Sequence, residues 1–194
     1  LELDYEKEND RNIFFHIVDY YYKIGDISKS YSLIKSRNIE GDENINFYHF
    51  LELNYLLSTS QLENACNFKE IISTDLNSFN NYIDKIEIFC LILEGKKSEA
   101  NLLNSIMLET EASLDQNFQN LMSVLIDENG YTNSDQYLSL DNLNFDLVFL
   151  YSAMARIAEI PLNKEFLKVD PLNLAIPIIL NKSTPINLRL KAAN

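Results

Sequence analysis

Four turn-type residues, Gly25, Ser60, Gly95 and Gly130, stand 35 positions apart, and this spacing constrains the chain more than any other feature. A fixed period of that length belongs to stacked two-helix units, each too small to bury its apolar face without a neighbour. The clearest copy runs from Phe89 to Ala100: an apolar helix end, Gly95, a polar turn, and an alanine that opens a second helix. A glycine at that point accepts the left-handed backbone that stops a helix, because it has no Cβ to clash.

The register holds on both sides of the turn. Val18, Leu53, Ile88 and Ser123 align, as do Tyr20, Tyr55, Cys90 and Leu125, then Tyr21, Leu56, Leu91 and Ile126. Five positions after each turn residue come Ser30, Ala65 and Ala100, small side chains that let two antiparallel helices approach closely. In chain order, residues 1–9 are acidic and aperiodic and read as a disordered lead-in, with structure expected from about Asp10. Helical spacing then runs from Asn12 to Ile24 through Ile13, Phe14, Ile17, Val18, Tyr20, Tyr21 and Ile24. Asp26 caps a second helix that runs out near Asn38. Ile45 to Leu57 and the helix carrying Leu62, Ala65, Cys66, Phe68, Ile71 and Ile72 form the second unit. Tyr82 to Ile92 and Ala100 to Met107 form the third.

The pattern changes after Gly130. Residues 131–135 form a turn cluster, and the next helix is expected from about Asp141 to Ile157, apolar on nearly all faces and therefore buried. Asp170-Pro171 and Thr184-Pro185 each place a capping side chain before a proline, which predicts short helices from 171 and 185. Pro177 should kink or split the first of them. The expected organisation is thus repeats over 10–130 and variant or capping helices of the same domain over 131–194. The chain begins at Leu1 and stops at Asn194 in what reads as mid-helix, so a processed or trimmed piece of something longer is expected.

The turn glycine followed five residues later by an alanine resembles the tetratricopeptide family over roughly residues 10–130, whose units are about 34 residues long. The resemblance implies an all-α, right-handed α-solenoid of antiparallel helical hairpins that binds proteins or peptides on its concave surface. Val18, Leu53 and Ile88 stand where that family places a small residue, and its closing proline is missing. Its peptide-binding residues therefore do not transfer, and the partner-binding residues are unknown.

Composition narrows the function. The 194 residues contain 16 basic and 29 acidic side chains, a formal net charge of −13, which repels phosphate backbones and anionic membrane surfaces. No nucleic-acid partner is expected. No stretch of eighteen or more apolar residues occurs, so no direct membrane insertion is expected either. No phosphate-binding glycine loop, nucleophile elbow or zinc-protease helix motif is present. Acidic pairs such as Glu109 with Glu111 and Asp84 with Glu87 lie at solvated helix positions rather than converging in a cleft. His16 aligns with Leu51 and His49 with Phe14, out of step with one another, so a shared metal is not expected and neither is a cofactor. Tyr20 and Tyr21 fall in core register, and Tyr22 aligns with Leu57 and Ile92. Filling an end repeat is thus the reading preferred over a ligand-stacking platform.

The two cysteines leave an alternative open. Cys66 opens a second helix and Cys90 closes the next first helix, positions that a stack of hairpins makes neighbours. They are either two separate buried thiols or a disulfide. The segments Ala65-Cys66, Phe89-Cys90, Gly95, Ala100, Pro185, Leu188-Arg189-Leu190 and Ala192-Ala193 also resemble an uncharacterised group of bacterial envelope helical-repeat proteins. That resemblance implies a periplasmic or envelope location, with the cytoplasm as the alternative. The expected function is a non-enzymatic scaffold or adaptor for a protein or peptide partner. The alternatives are an accessory superhelical domain of a larger envelope enzyme of the cell-wall lytic type, and a protein that merely assembles; oligomeric state is not readable from the sequence.

Overall fold

A computed structural model describes residues 7–69, 72, 81–110, 114–126, 147–162, 164–182 and 184–194. These residues form ten α-helices and a 3-10 helix, with no strand among them. The helices are α1 (Glu8–Lys23), α2 (Ile27–Lys35), α3 (Ile45–Ser58), α4 (Leu62–Lys69), α5 (Tyr82–Leu93), α6 (Lys97–Thr110), α7 (Gln116–Ile126), α8 (Val148–Ile157), α9 (Pro171–Leu180) and α10 (Ile186–Ala192); the 3-10 helix is Lys164–Lys168. The expected all-α class holds.

The three turns at the repeat spacing share one construction. Gly25, Ser60 and Gly95 have φ of 83°, 63° and 77°. The amide of the next residue in each case donates to a carbonyl five residues back: Asp26 to Tyr21, Gln61 to Leu56 and Lys96 to Leu91, at 2.8–2.9 Å. This is the Schellman helix stop, which satisfies carbonyls the helix end would otherwise leave open. Beyond each turn Ser30, Ala65 and Ala100 are at most 1% exposed, as a close helix crossing requires. Ser30 Oγ donates to the Val18 carbonyl at 3.0 Å, tying α2 back to α1. The hairpins α1/α2, α3/α4 and α5/α6 follow, with α2 packed on α3 and α4 on α5.

The carboxy-terminal helices pack across the hairpins. α8 packs on α3 and α7, and the Phe149 ring lies 6.2 Å from that of Tyr22 in α1. α3 is consequently buried on most sides, including Tyr48, Leu51, Glu52, Leu53 and Asn54. Gly25 has a second reason to be glycine, because a Cβ there would meet the Val169 carbonyl oxygen at 3.0 Å and Pro171 Cδ at 3.2 Å. The Asn173 amide reaches Ser28 Oγ at 3.3 Å. The chain end thus sits against the first hairpin.

Several local expectations need correction. α1 begins at Glu8, two residues before the expected start, with acidic Glu8 and Asp10 in its first turn, where carboxylates favour a helix amino terminus. α2 stops at Lys35 rather than near Asn38. Pro177 neither splits nor ends α9, which continues to Leu180. Asp170 caps α9 as expected, its carboxylate accepting from the Asn173 amide at 3.2 Å. Thr184 does not cap α10; Pro185 is the N-cap residue and the helix starts at Ile186. The expected turn at Gly130, the start near Asp141, and residues 1–6 of the lead-in lie outside the described residues.

Candidate interaction surface

The repeat register shows what normally covers each face of a first helix. In α3, Tyr55 stacks on Tyr31 of the preceding unit, ring centroids 3.8 Å apart and 8° from parallel. Glu52, 8% exposed, pairs with Lys35 of α2 at 2.5 Å. Tyr48 lies edge-on to Phe14 of α1 at 6.1 Å. In α5, 35 residues on, Cys90 is disulfide-bonded to Cys66 of α4 with Cα atoms 5.7 Å apart, and Glu87 faces Lys69 of α4 at 3.7 Å. Columns 52/87 and 55/90 therefore belong to the junction with the unit before, and Tyr48 to the first of these junctions.

The matching residues of α1 are Ile13, Ile17 and Tyr20, and no described helix precedes them. Ile13 is 43% exposed and Tyr20 is 59% exposed, against 0% for Tyr48, 6% for Ile83 and 3% for Cys90. Ile24, one turn further on the same stripe, is 53% exposed. Ile13, Ile17 and Tyr20, with His16 and Tyr21, line a shallow hollow of about 520 Å³. Ile13, Ile17, Tyr20 and Ile24 follow the i, i+4, i+7, i+11 spacing of a helix-packing ridge. α1 thus presents a junction-type face that no described helix covers.

This corrects the reading of the tyrosine triplet. Tyr22 is core, 7% exposed, and its hydroxyl accepts from the Asn54 amide at 3.2 Å. Tyr82 donates to the other atom of that amide at 2.7 Å, so one buried network joins α1, α3 and α5. Tyr21 is half-buried. Tyr20 is an exposed part of the face, because core register requires a neighbouring unit to make it core. The column of position 17 carried the missed signal: glutamates stand at 52 and 87, where each meets a lysine of the unit before, whereas the first unit has isoleucine.

The remaining singled-out residues are separate. His49 lies edge-on to Phe68 at 5.6 Å, and burial lowers its pKa while Glu52 raises it. His16 is on the exposed side of α1 beside Phe15. Among the described residues no three His, Cys, Asp or Glu side chains could hold a metal ion. Glu109 is exposed, and Glu111 lies outside the described residues.

Two partly buried polar clusters were not legible beforehand, and both join elements. Asp115 caps α7 by accepting from the Phe118 amide at 3.1 Å, receives Lys85 Nζ at 2.8 Å from α5, and accepts from the Tyr151 hydroxyl of α8. Lys85 is 1% exposed, so its charge is held by this carboxylate and by the Phe118 ring face, 5.7 Å away. In the second cluster, Arg156 of α8 donates from Nη1 to the Ser58 carbonyl at 3.0 Å and to Ser60 Oγ at 2.8 Å. Its Nη2 donates to the Leu57 carbonyl. A guanidinium on the last carbonyls of α3 satisfies open acceptors and opposes the negative end of the helix. Burial pushes the Arg156 pKa down to about 10, with Asp170 acting in the opposite direction. Burial also raises the Asp170 pKa, against hydrogen bonds from Asn173 that lower it.

No helix among the described residues is long and apolar enough to cross a membrane. In comparison with known proteins, no family model, no curated protein and no solved structure matches this chain.

Proposed function

We propose that the protein is a non-enzymatic helical-repeat scaffold that docks another protein on the open face of α1. One observation carries the reading: Ile17 and Tyr20 occupy the columns that meet the preceding unit at both later junctions and Ile13 the column of buried Tyr48, yet Ile13 and Tyr20 are 43% and 59% exposed. An apolar side chain buried at such a face contributes roughly 1.5–3 kcal/mol, and a tyrosine among aliphatics is the composition of an interface anchor. The side of α3 that faces α8 is a poorer candidate, since it is already covered. The polar clusters at Asn54, Asp115 and Arg156 each bind helix to helix, which suits a scaffold. The tetratricopeptide-like, right-handed solenoid arrangement is part of this proposal, supported by the three turns of common geometry. The Cys66–Cys90 bond supports an oxidising compartment such as a periplasm, and the charge of −13 speaks for a protein partner over nucleic acid.

The test is comparative affinity capture with the wild-type chain, Tyr20→Glu on α1, and Leu102→Glu on α6 as an equally exposed control. Proteins retained by the wild type and the control but lost from Tyr20→Glu support the reading. Capture that ignores Tyr20→Glu overturns it.

A further inference from the structure

A hollow of about 590 Å³ lies where the end of α8, the second half of α9 and the second repeat turn meet. Arg156 and Glu159 line it from the end of α8, Ser60 from the turn, and Ile176, Leu180 and Lys182 from α9 and the chain just beyond. The Asn181 side-chain amide donates to the Glu159 carbonyl at 3.3 Å, which ties the chain after α9 to the end of α8. Two of the lining residues depart from what their backbone favours. Ser60 and Glu159 have φ of 63° and 56°, in the left-handed region that strains a side chain and suits glycine. Glycine makes the same helix stop at positions 25 and 95. Both strained residues instead bring a polar side chain to this hollow, and strain kept where glycine would serve points to function.

The charge of the lining runs against that of the chain. Arg156 and Lys182 form no ion pair among the described residues, and Asp170 acts on Arg156 only from beyond ion-pair distance. Glu159 is the one carboxylate of the lining and is likewise unpaired among the described residues. Two cations thus face one anion, in a protein with 16 basic and 29 acidic residues. Arg156 uses Nε on the Ser152 carbonyl, Nη1 on Ser58 and Ser60, and one hydrogen of Nη2 on the Leu57 carbonyl, so a single N–H remains. The Ser60 hydroxyl accepts from Arg156 at 2.8 Å and keeps its own proton to donate. Beside these donors, Ile176 and Leu180 stand one helical turn apart, 59% and 71% exposed.

We propose that this hollow binds a monocarboxylate with an aliphatic body. The carboxylate meets Lys182, Ser60 and the remaining Arg156 N–H, and the aliphatic part lies on Ile176 and Leu180. Charge-assisted hydrogen bonds are the strong ones at such a site, and a few convergent polar groups beside an apolar wall fix a small ligand's orientation. The surplus of a single positive charge matches a monoanion, while Glu159 weighs against a phosphate dianion. A short free fatty acid and the carboxy terminus of a peptide ending in an aliphatic residue share this chemistry. The site has no residue in common with the α1 face, so the failure of either reading leaves the other standing.

Isothermal titration calorimetry of the intact chain tests it with hexanoate, with an acetylated peptide ending in leucine, and with the amide form of each. At least one of the two acids should bind with one-to-one stoichiometry, and its amide should not. Lys182→Glu and Ile176→Glu should each weaken that binding by about tenfold or more. Lys29→Glu, the same charge change at an exposed position of α2, should leave it unchanged. Lys182 and Ile176 are both exposed, and wild-type helicity by circular dichroism confirms that each variant folds. Binding of hexanoate alone supports the site and identifies a free acid as its ligand; binding of the peptide alone supports it and identifies a chain terminus. No saturable binding of either acid at millimolar concentration, equal binding of acid and amide, or binding that Lys182→Glu or Ile176→Glu leaves unchanged would each overturn the proposal.

Discussion

The first and second repeat junctions use the same positions and different chemistry. Between the first two units Tyr31 stacks on Tyr55; between the next two Cys66 is bonded to Cys90, and both pairs are related by the 35-residue shift. The ion pairs repeat as well, Lys35 with Glu52 and Lys69 with Glu87, but at 2.5 Å in the first junction and 3.7 Å in the second. The stack geometry is thus set by the hairpins, and the pair placed at its centre decides how firmly and under what redox conditions a junction is closed. The second junction uses a covalent link, which stabilises chiefly by restricting the unfolded chain. The first relies on aromatic contact and a shielded carboxylate.

The largest test of that contrast is removal of the covalent link. Cys90→Ala, or reduction of the wild type, should destabilise the fold by about 3 kcal/mol for a loop of this length, read as a lower urea midpoint. Reduction should leave Cys90→Ala unchanged. The denatured, unreduced wild type should show no titratable thiol, and two thiols would remove the difference between the junctions altogether.

Next comes the attachment that holds α8 against the turn between them. Arg156→Met keeps much of the side-chain volume but leaves the Leu57 and Ser58 carbonyls without their donor, an expected loss of about 2 kcal/mol for charge-assisted hydrogen bonds. Arg156→Lys should recover only part of it, because a single ammonium cannot reproduce the fork. Equal stability of Arg156→Met and wild type in urea would show that α8 does not depend on this cap.

The aromatic pair ranks third. A double-mutant cycle on Tyr31→Ala and Tyr55→Ala should give a coupling energy of about 1 kcal/mol. A coupling near zero would mean that the first junction is held by its surrounding apolar contacts and that the stack only fills space. The smallest effect belongs to the ion pairs. A cycle on Lys35 and Glu52 should give at most about 1 kcal/mol, reduced by added salt, since Lys35 is half exposed. The Lys69 and Glu87 cycle should fall below it, because Glu87 is 44% exposed and the pair is longer. A reversed order would overturn the claim that the first junction relies on its shielded carboxylate.

How much of this was legible in the sequence differs by element. The turns at 25, 60 and 95 were legible because a left-handed helix stop is a local event, decided by one residue and its immediate amides. The small residues at 30, 65 and 100 were legible for the same reason, since their role depends only on distance from the turn. Tyr20 was misread as core, because its burial depends on a neighbour and periodicity reports only which face of a helix is apolar. Arg156 could not have been assigned, as its acceptors lie 98 and 99 residues away at Ser58 and Leu57. Asp115 likewise meets Lys85 and Tyr151 from 30 and 36 residues away.

What the sequence determined alone is the hairpin and its period: helix, left-handed stop, small residue, helix, repeated at 35. Those features follow from backbone conformation and side-chain size within a few residues. Which cysteine state is adopted, where the terminal helices pack, and which junction face is left open were decided only by the tertiary structure. Each depends on whether a distant segment arrives to cover a surface, and the packing energy that settles this has no local signature in the chain.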